Sequence, residues 1–392
     1  MGKSLNIAFF TDNFFPGTGG TENVIKIMSK ILTNGGGRNR VKIYCPDYHK
    51  KNQNEIDIPV FRVPSIDLSD SDHIALPSLI KGKLEKDLRQ FKPDIIYFTT
   101  GSGMAKWALK MGKKLDVPVV ATIHTKFDEA WYDSCKSHLI TSCMVKSLAR
   151  KMNRAFGVTT VSYDAARTLQ RYGYKGQPKV IMNGFNASEF SMTPCLEDKK
   201  GRFTFLFCGR LIKVKQIQFS LKCLANIKKK HNFNDFNFWI VGDGVYRKKL
   251  EKLVKKYNLE DNVKFFGFVG DRAVLNGFYS AADLFLFPSS FDTDGLVIVE
   301  AKSCHLPVLS LKNYGCGERI EDGVTGFLSE FDEESFTEKI WEILNNKPLL
   351  EKVRKNVDKL RADTWEEVVE KYHQYFVEKI EEYKNLKKKS KN

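Results

Sequence analysis

Phe203-Thr-Phe-Leu-Phe-Cys-Gly-Arg-Leu-Ile-Lys-Val-Lys215 runs from an apolar stretch through a glycine into a basic turn. Its apolar part does not alternate with polar residues, which is what a strand covered on both faces requires. Similar runs recur at 5–10, 41–44, 95–98, 117–123 and 157–161, and again at 236–241, 263–266, 284–287, 306–309 and 326–328. Stretches of helical period lie between them, as at 23–32, 219–230 and 246–257. Strand–helix alternation predicts parallel sheets joined by right-handed crossovers. Two such sets in 392 residues predict two doubly wound α/β domains. The break falls near 183–200, where Asn183-Gly184, Pro194 and Glu197-Asp-Lys-Lys200 interrupt the periodicity. The expected division is a first domain at 1–190, a second at 191–363, and a final piece at 364–392. That piece reads as a helix carrying Trp365, Tyr372 and Phe376, expected to pack back on the first domain and to end in a frayed basic tail from Lys384.

Composition narrows the class. Hydrophobic residues make up 42% and charged residues 28%, as in an ordinary globular protein, and no apolar run reaches membrane-spanning length. The opening run turns polar at Thr11-Asp-Asn13, so it reads as a buried strand rather than a signal peptide. Eight cysteines are scattered singly, and His124, His138 and His305 lack zinc spacing, so reduced thiols and no metal are expected. The net charge of +16 favours an anionic partner: nucleic acid, anionic lipid or a phosphorylated substrate. A lysine-rich solvated surface would give the same number, so charge alone does not choose.

Several segments carry chemistry. Arg210 and Lys215 offer a guanidinium fork and a point charge beyond a strand end, a pair able to bracket a diphosphate. Phe291-Asp-Thr-Asp-Gly-Leu-Val-Ile-Val-Glu-Ala301 places Asp292 and Glu300 eight residues apart around a turn. A helix beginning there would aim the amides of Gly295 and Leu296 at a sugar or phosphate. Carboxylates grip hydroxyls and cations grip phosphates, so the two segments together suit a nucleotide-sugar. Asp12-Asn-Phe-Phe-Pro-Gly-Thr-Gly-Gly-Thr-Glu22 supplies a glycine loop, with Gly19 and Gly20 at a helix start, but not the Gly-x-Gly-x-x-Gly dinucleotide fingerprint. Ile240-Val-Gly-Asp-Gly244 allows a tight turn with Asp243 accepting local hydrogen bonds, and Gly242 is a candidate donor-binding position. Gly267-Phe-Val269 could line a pocket for a flat base through Val269. Taken singly, each segment has a plain structural reading as a turn, a solvated cation or a helix cap.

Taken together and in this order, the segments resemble the retaining glycosyltransferases of family 4, which have the GT-B fold. The ordered set comprises the Gly-Gly loop, His124-Thr125, Asn183-Gly184, Gly-Arg-Leu with Lys215, Gly-Asp-Gly and the acid pair. The resemblance implies two Rossmann-like domains facing each other across a cleft. It implies Arg210 and Lys215 as a diphosphate clamp, Glu300 on the donor ribose, Asp292 on the donor sugar and His124 near that sugar. It also implies Gly19 and Gly20 beneath the phosphates. Asp292 departs from the family's glutamate by one methylene. No metal or other cofactor is implied; the nucleotide-sugar is a co-substrate, most often UDP-linked, with UDP-glucose a natural first candidate and GDP-mannose an alternative. The implied chemistry is front-face, with an α-linked product from an α-linked donor.

The acceptor is less constrained. Ala121-Thr-Ile-His-Thr-Lys-Phe-Asp-Glu-Ala-Trp-Tyr-Asp133 is similar to the corresponding stretch of bacterial diacylglycerol glucosyltransferases. Residues 142–156 read as a basic amphipathic helix, with Lys146, Arg150 and Arg154 in one row and Met144, Leu148, Met152 and Phe156 in another. The expectation is therefore a hexose transferred to a lipid or lipid-linked glycan in cell-envelope glycolipid synthesis. The site of action would be cytoplasmic, peripheral on the inner face of the cell membrane. A soluble transferase acting on a polysaccharide or protein is the alternative. A basic nucleic-acid-binding protein is disfavoured by the motif order, and a nicotinamide dehydrogenase by the missing glycine fingerprint.

Overall fold

The computed structural model describes residues 4–15, 20–35, 39–48, 57–67, 73–99, 103–359 and 361–390. The first half of the chain runs through β1 (Asn6–Phe10), β2 (Arg40–Pro46), β3 (Val60–Val63), β4 (Ser65–Asp67), β5 (His73–Ala75), β6 (Ile95–Phe98), β7 (Val119–Ile123), β8 (Gly157–Thr160) and β9 (Lys179–Val180). Seven of these form a parallel sheet in the spatial order β3-β2-β1-β6-β7-β8-β9, while β4 and β5 pair as a separate hairpin. The second half supplies β10 (Phe203–Cys208), β11 (Phe236–Val241), β12 (Val263–Gly267), β13 (Leu284–Phe287), β14 (Val308–Leu311) and β15 (Phe327–Ser329). They form a six-stranded parallel sheet in the order β12-β11-β10-β13-β14-β15. The expectation of two doubly wound α/β sheets holds.

Both orders reverse at one place: between β1 and β6 in the first sheet, and between β10 and β13 in the second. In open parallel sheets ligands bind outside the carboxyl ends of the strands at this reversal. The long loops after β10 and β13 are therefore the first place to look for a site.

The chain divides into two compact units, Met1–Gly184 with Trp365–Asn392, and Phe185–Thr364. Within the first, Gly184 lies against the returning chain: a Cβ there would stand 2.6 Å from the Cα of Trp365. The helix Trp365–Lys389 buries Val368, Tyr372, Phe376 and Ile380 in the same core as Ile7 and Phe9 of β1. Ala8 and Phe10, pointing the other way, join the core on the opposite face. Each large apolar side chain buried in this way contributes about 1.5–3 kcal/mol toward docking the helix. The second unit has one core, dominated by aromatics of β10, β11 and β13.

Several expected boundaries shift. The strand expected at 306–309 begins at Val308, because His305 takes a left-handed conformation (φ 55°) as it leaves the preceding helix. The strand expected at 117–123 begins at Val119 for the same reason, with Asp116 at φ 57°. The basic tail does not fray at Lys384. Helix continues to Lys389, since lysines form helix well and favour its carboxyl end, and Asp116 accepts from Tyr383 at 2.9 Å and pairs with Lys387 at 2.5 Å. The helix expected at 142–156 spans His138–Met152, started by the Ser137 side chain accepting from the Ile140 amide. Arg154 and Phe156 lie beyond it. Leu148 and Met152 are buried in the first unit's own core, so that row is not a surface stripe.

Candidate functional site

In the second unit the loops after β10 and β11 are laced together. The Gly209 amide donates to the Val241 carbonyl at 3.0 Å, and the Leu211 amide to that of Asp243 at 2.9 Å. Gly242 (φ 130°) is needed for this approach: a Cβ there would sit 2.0 Å from the Gly209 carbonyl oxygen. Gly242 therefore sits beneath the turn that presents Arg210. The Arg210 side chain is exposed and, among the described residues, has no ion-pair partner.

Lys215 closes a short turn on the same loop. Its Nζ lies 2.5 Å from Oδ1 of Asp292 and 5.4 Å from the centroid of the Phe287 ring. Two residues 77 apart in sequence thus meet between the loops after β10 and β13, at the sheet's reversal point. A lysine held by one carboxylate oxygen can still offer its remaining protons to an incoming anion.

The loop after β13 is fixed from below. Arg319 Nε donates at 2.9 Å to both the backbone oxygen and Oδ1 of Asp294, and its Nη2 to Oδ1 at 2.6 Å. Both side chains are buried, so desolvation of the pair is offset only by this dense bonding. The next residue, Gly295, adopts φ 63° and caps the helix Leu296–Ser303 without a side-chain bond. The Gly295 and Leu296 amides stand at that helix N-terminus, where the helix dipole favours negative charge.

Glu300 sits on the same helix, mostly buried. Its Oε2 accepts from the Tyr279 hydroxyl at 2.9 Å, and its Oε1 lies 4.0 Å from Arg272. Burial raises its pKa; the Tyr279 bond and then the Arg272 charge oppose that rise. Val269 is half-buried against the unit's core, next to an exposed Phe268.

In the first unit His124 follows β7 and is buried, which lowers its pKa to about 4, so the imidazole is neutral at pH 7. The loop that carries it is anchored by a buried ion pair between Lys126 and Asp164. Gly20 is the first residue of the helix Gly20–Asn34, with open space where a Cβ would stand. Gly19 lies outside the described residues.

The structure thus gathers Lys215, Asp292, Gly295 and Leu296 around the strand-end loops of one sheet. Arg210 is carried on the same loop as Lys215, and Glu300 on the helix that follows the loop of Asp292. His124 and Gly20 belong to the other unit. Arg272, Tyr279 and Arg319 were not singled out from sequence. The one available signal was Asp271 before an apolar-periodic stretch, a helix-cap pattern that places Arg272 and Tyr279 on one helical face.

Comparison with known proteins matches residues 18–189 to Glycosyltransferase Family 4 and residues 195–360 to Glycosyl transferases group 1. An alpha-monoglucosyldiacylglycerol synthase of Acholeplasma laidlawii is 26% identical over 378 residues, covering 90% of this chain and 92% of that protein. One from Streptococcus pneumoniae is 25% identical over 336 residues, covering 83% and 75%. Among solved structures, Anabaena Alr3699/HepE in complex with UDP-glucose superposes with a TM-score of 0.71 at 21% identity, covering 96% of this chain and all (100%) of that one. WaaG, a glycosyltransferase involved in lipopolysaccharide biosynthesis, gives 0.66 at 17% identity, covering 94% and 99%.

Proposed function

Since the chain belongs to the family 4 glycosyltransferases of GT-B fold, we propose that it transfers glucose from UDP-glucose to a diacylglycerol-type lipid acceptor with retention of anomeric configuration. The observation that carries this reading is the meeting of Lys215 and Asp292 at the reversal point of the second sheet, with Arg210 on the same loop as Lys215 and a helix starting just after Asp292. In this reading the cations serve the diphosphate and the carboxylate a sugar hydroxyl. The similarity to two alpha-monoglucosyldiacylglycerol synthases supports the lipid acceptor. The UDP-glucose complex of a protein of the same fold supports the donor.

In this reading the bond between the anomeric carbon and the diphosphate oxygen breaks, and the acceptor oxygen bonds to the same face of that carbon. The acceptor's proton passes to the departing phosphate oxygen. Arg210, Lys215 and the amides of Gly295 and Leu296 take up the charge that develops on the leaving diphosphate, the work a metal ion would do elsewhere, so no cofactor is proposed. Asp292 orients the sugar and keeps Lys215 aimed. Glu300 accepts from the ribose hydroxyls. His124, neutral, donates a hydrogen bond to the sugar without adding charge.

The acceptor is met at a membrane surface. Among the described residues no helix is long and apolar enough to cross a membrane. At the start of the helix His138–Met152, however, Leu139, Ile140 and Met144 are exposed, with Lys146 and Arg150 exposed farther along. Apolar side chains bordered by cations suit the interface of an anionic bilayer. Sedimentation with anionic vesicles at low salt tests this, and failure to pellet contradicts it.

The donor is tested by saturation-transfer NMR with UDP-glucose, UDP-galactose, UDP-N-acetylglucosamine and GDP-mannose, using Glu300→Ala as control. UDP-glucose is expected to bind selectively and to lose affinity in the variant. Binding by none of them would overturn the reading.

A further inference from the structure

The helix Arg272–Ala281 has no role in the mechanism above, yet it holds both oxygens of one of its carboxylates. Arg272 and Tyr279 are seven residues apart, two helical turns, and so share a face. The Tyr279 hydroxyl, fully buried, donates to Glu300 Oε2 at 2.9 Å, while Arg272 Nη1 stands 4.0 Å from Oε1. The register of the helix is itself set: Asp271 caps it by accepting from the amides of Ala273 and Val274 at 2.8 and 3.1 Å. Arg272 is held from its far side, 3.6 Å from Oε2 of Glu189 and 4.4 Å from the centroid of the Phe190 ring. Asn276, on the same face, donates to the Glu189 carbonyl at 3.1 Å. A buried phenol with its hydroxyl on a carboxylate is a costly arrangement to use for packing alone, since phenylalanine would fill the same space with no polar atom to satisfy.

We propose that Arg272 and Tyr279 are positioning residues for Glu300, fixing the carboxylate in the orientation and charge state in which it grips the donor's ribose. The proposal rests on the assignment of Glu300 to the donor. The charged and titratable groups facing Glu300 are Arg272 and Tyr279 from this helix, Glu189 from the preceding segment, Cys208 from β10 and Cys304 at the end of its own helix. Burial pushes the Glu300 carboxyl up, and Tyr279 and Arg272 work against that push. Without either, the carboxyl would take its proton at a higher pH, and donor affinity would fall away sooner on acidification.

The test is UDP binding by calorimetry from pH 5 to 8 on the full-length protein. The forms compared are wild type, Tyr279→Phe, Arg272→Gln, Glu300→Gln and each of the first two changes combined with the third. Tyr279→Phe is expected to weaken UDP binding about tenfold at the acid end, to recover toward pH 8, and to move the acid limb to higher pH. Arg272→Gln, at a partly exposed position that keeps the fold if the buried change does not, should move the limb the same way. In the Glu300→Gln background neither change should add to the loss. An unmoved acid limb in both variants, or a loss that persists at full size beside Glu300→Gln, overturns the proposal and leaves a packing role. If Glu300→Gln itself binds UDP like wild type, the donor assignment of Glu300 fails, and this inference with it. If Glu300→Gln is weak while Tyr279→Phe and Arg272→Gln bind normally, only the positioning role fails.

Discussion

The two units share a strand order but hold their strand-end loops by different means. In the second, the loops after β10 and β11 are joined amide to carbonyl, and the loop after β13 is gripped by the Arg319–Asp294 pair. Every group proposed to meet the donor there is charged or is a backbone amide. In the first, the candidate side chain is a histidine kept neutral by burial, on a loop anchored by Lys126 and Asp164. In the proposed reading the second unit keeps charges fixed for a diphosphate, whereas the first offers an uncharged side chain. Preorganised charge costs no reorganisation when negative charge develops, whereas an uncharged donor can orient a hydroxyl without competing for the anion.

The largest effect should come from breaking the buried pair. Arg319→Met leaves Asp294 buried without its main partner and should cost about 3–5 kcal/mol of the second unit's stability, measured by urea denaturation. The double variant Asp294→Leu/Arg319→Met should regain most of that stability and still bind UDP poorly, because Gly295 is no longer held. Full recovery of binding would mean that the pair serves stability alone.

Next in size is the clamp. Arg210→Ala and Lys215→Ala should each cost about 2–4 kcal/mol in kcat/KM. His124→Ala should lower kcat while UDP affinity stays within about twofold of wild type. Near-normal turnover in both clamp variants, or loss of UDP binding in the histidine variant, would erase the contrast between the units.

A smaller effect concerns acid. The folded pKa of His124, about 4, lies below its ordinary 6.5, so the unfolded chain takes the proton first. Stability is therefore complete above about pH 6.5 and is lost as pH falls toward 4, by about 2 kcal/mol between pH 6.5 and 5. His124→Gln should flatten that part of the stability curve, measured by denaturation at each pH. An unchanged curve would show that the histidine is not held neutral.

How far the sequence reached depended on the range of the interaction. Uninterrupted runs such as Leu284–Phe287 marked covered strands because their reason is local. Arg210, Lys215, Asp292 and Glu300 stand out in the sequence only as an ordered set; the structure brings Lys215 and Asp292 together. Arg272, Tyr279 and Arg319 were not legible. An arginine or tyrosine on an amphipathic helix looks the same whether it faces solvent or a carboxylate 21 to 28 residues onward, and only the fold decides. Gly242 read as a donor-binding position, but the structure supplies a nearer reason, the backbone of Gly209. The lysines after Tyr383 read as a frayed tail because composition alone does not reveal that Asp116 waits beside them.

In the proposed function, fixed cations and amides of the second unit drive sugar transfer to a lipid. This transfer is tested most directly by incubating the purified protein with radiolabelled UDP-glucose and anionic vesicles containing diacylglycerol, beside Lys215→Ala. A labelled glycolipid whose anomeric proton shows α linkage is expected, with the product nearly lost in the variant. Vesicles that stay unlabelled with every nucleotide-sugar tried, or a lipid product undiminished in Lys215→Ala, would contradict this function.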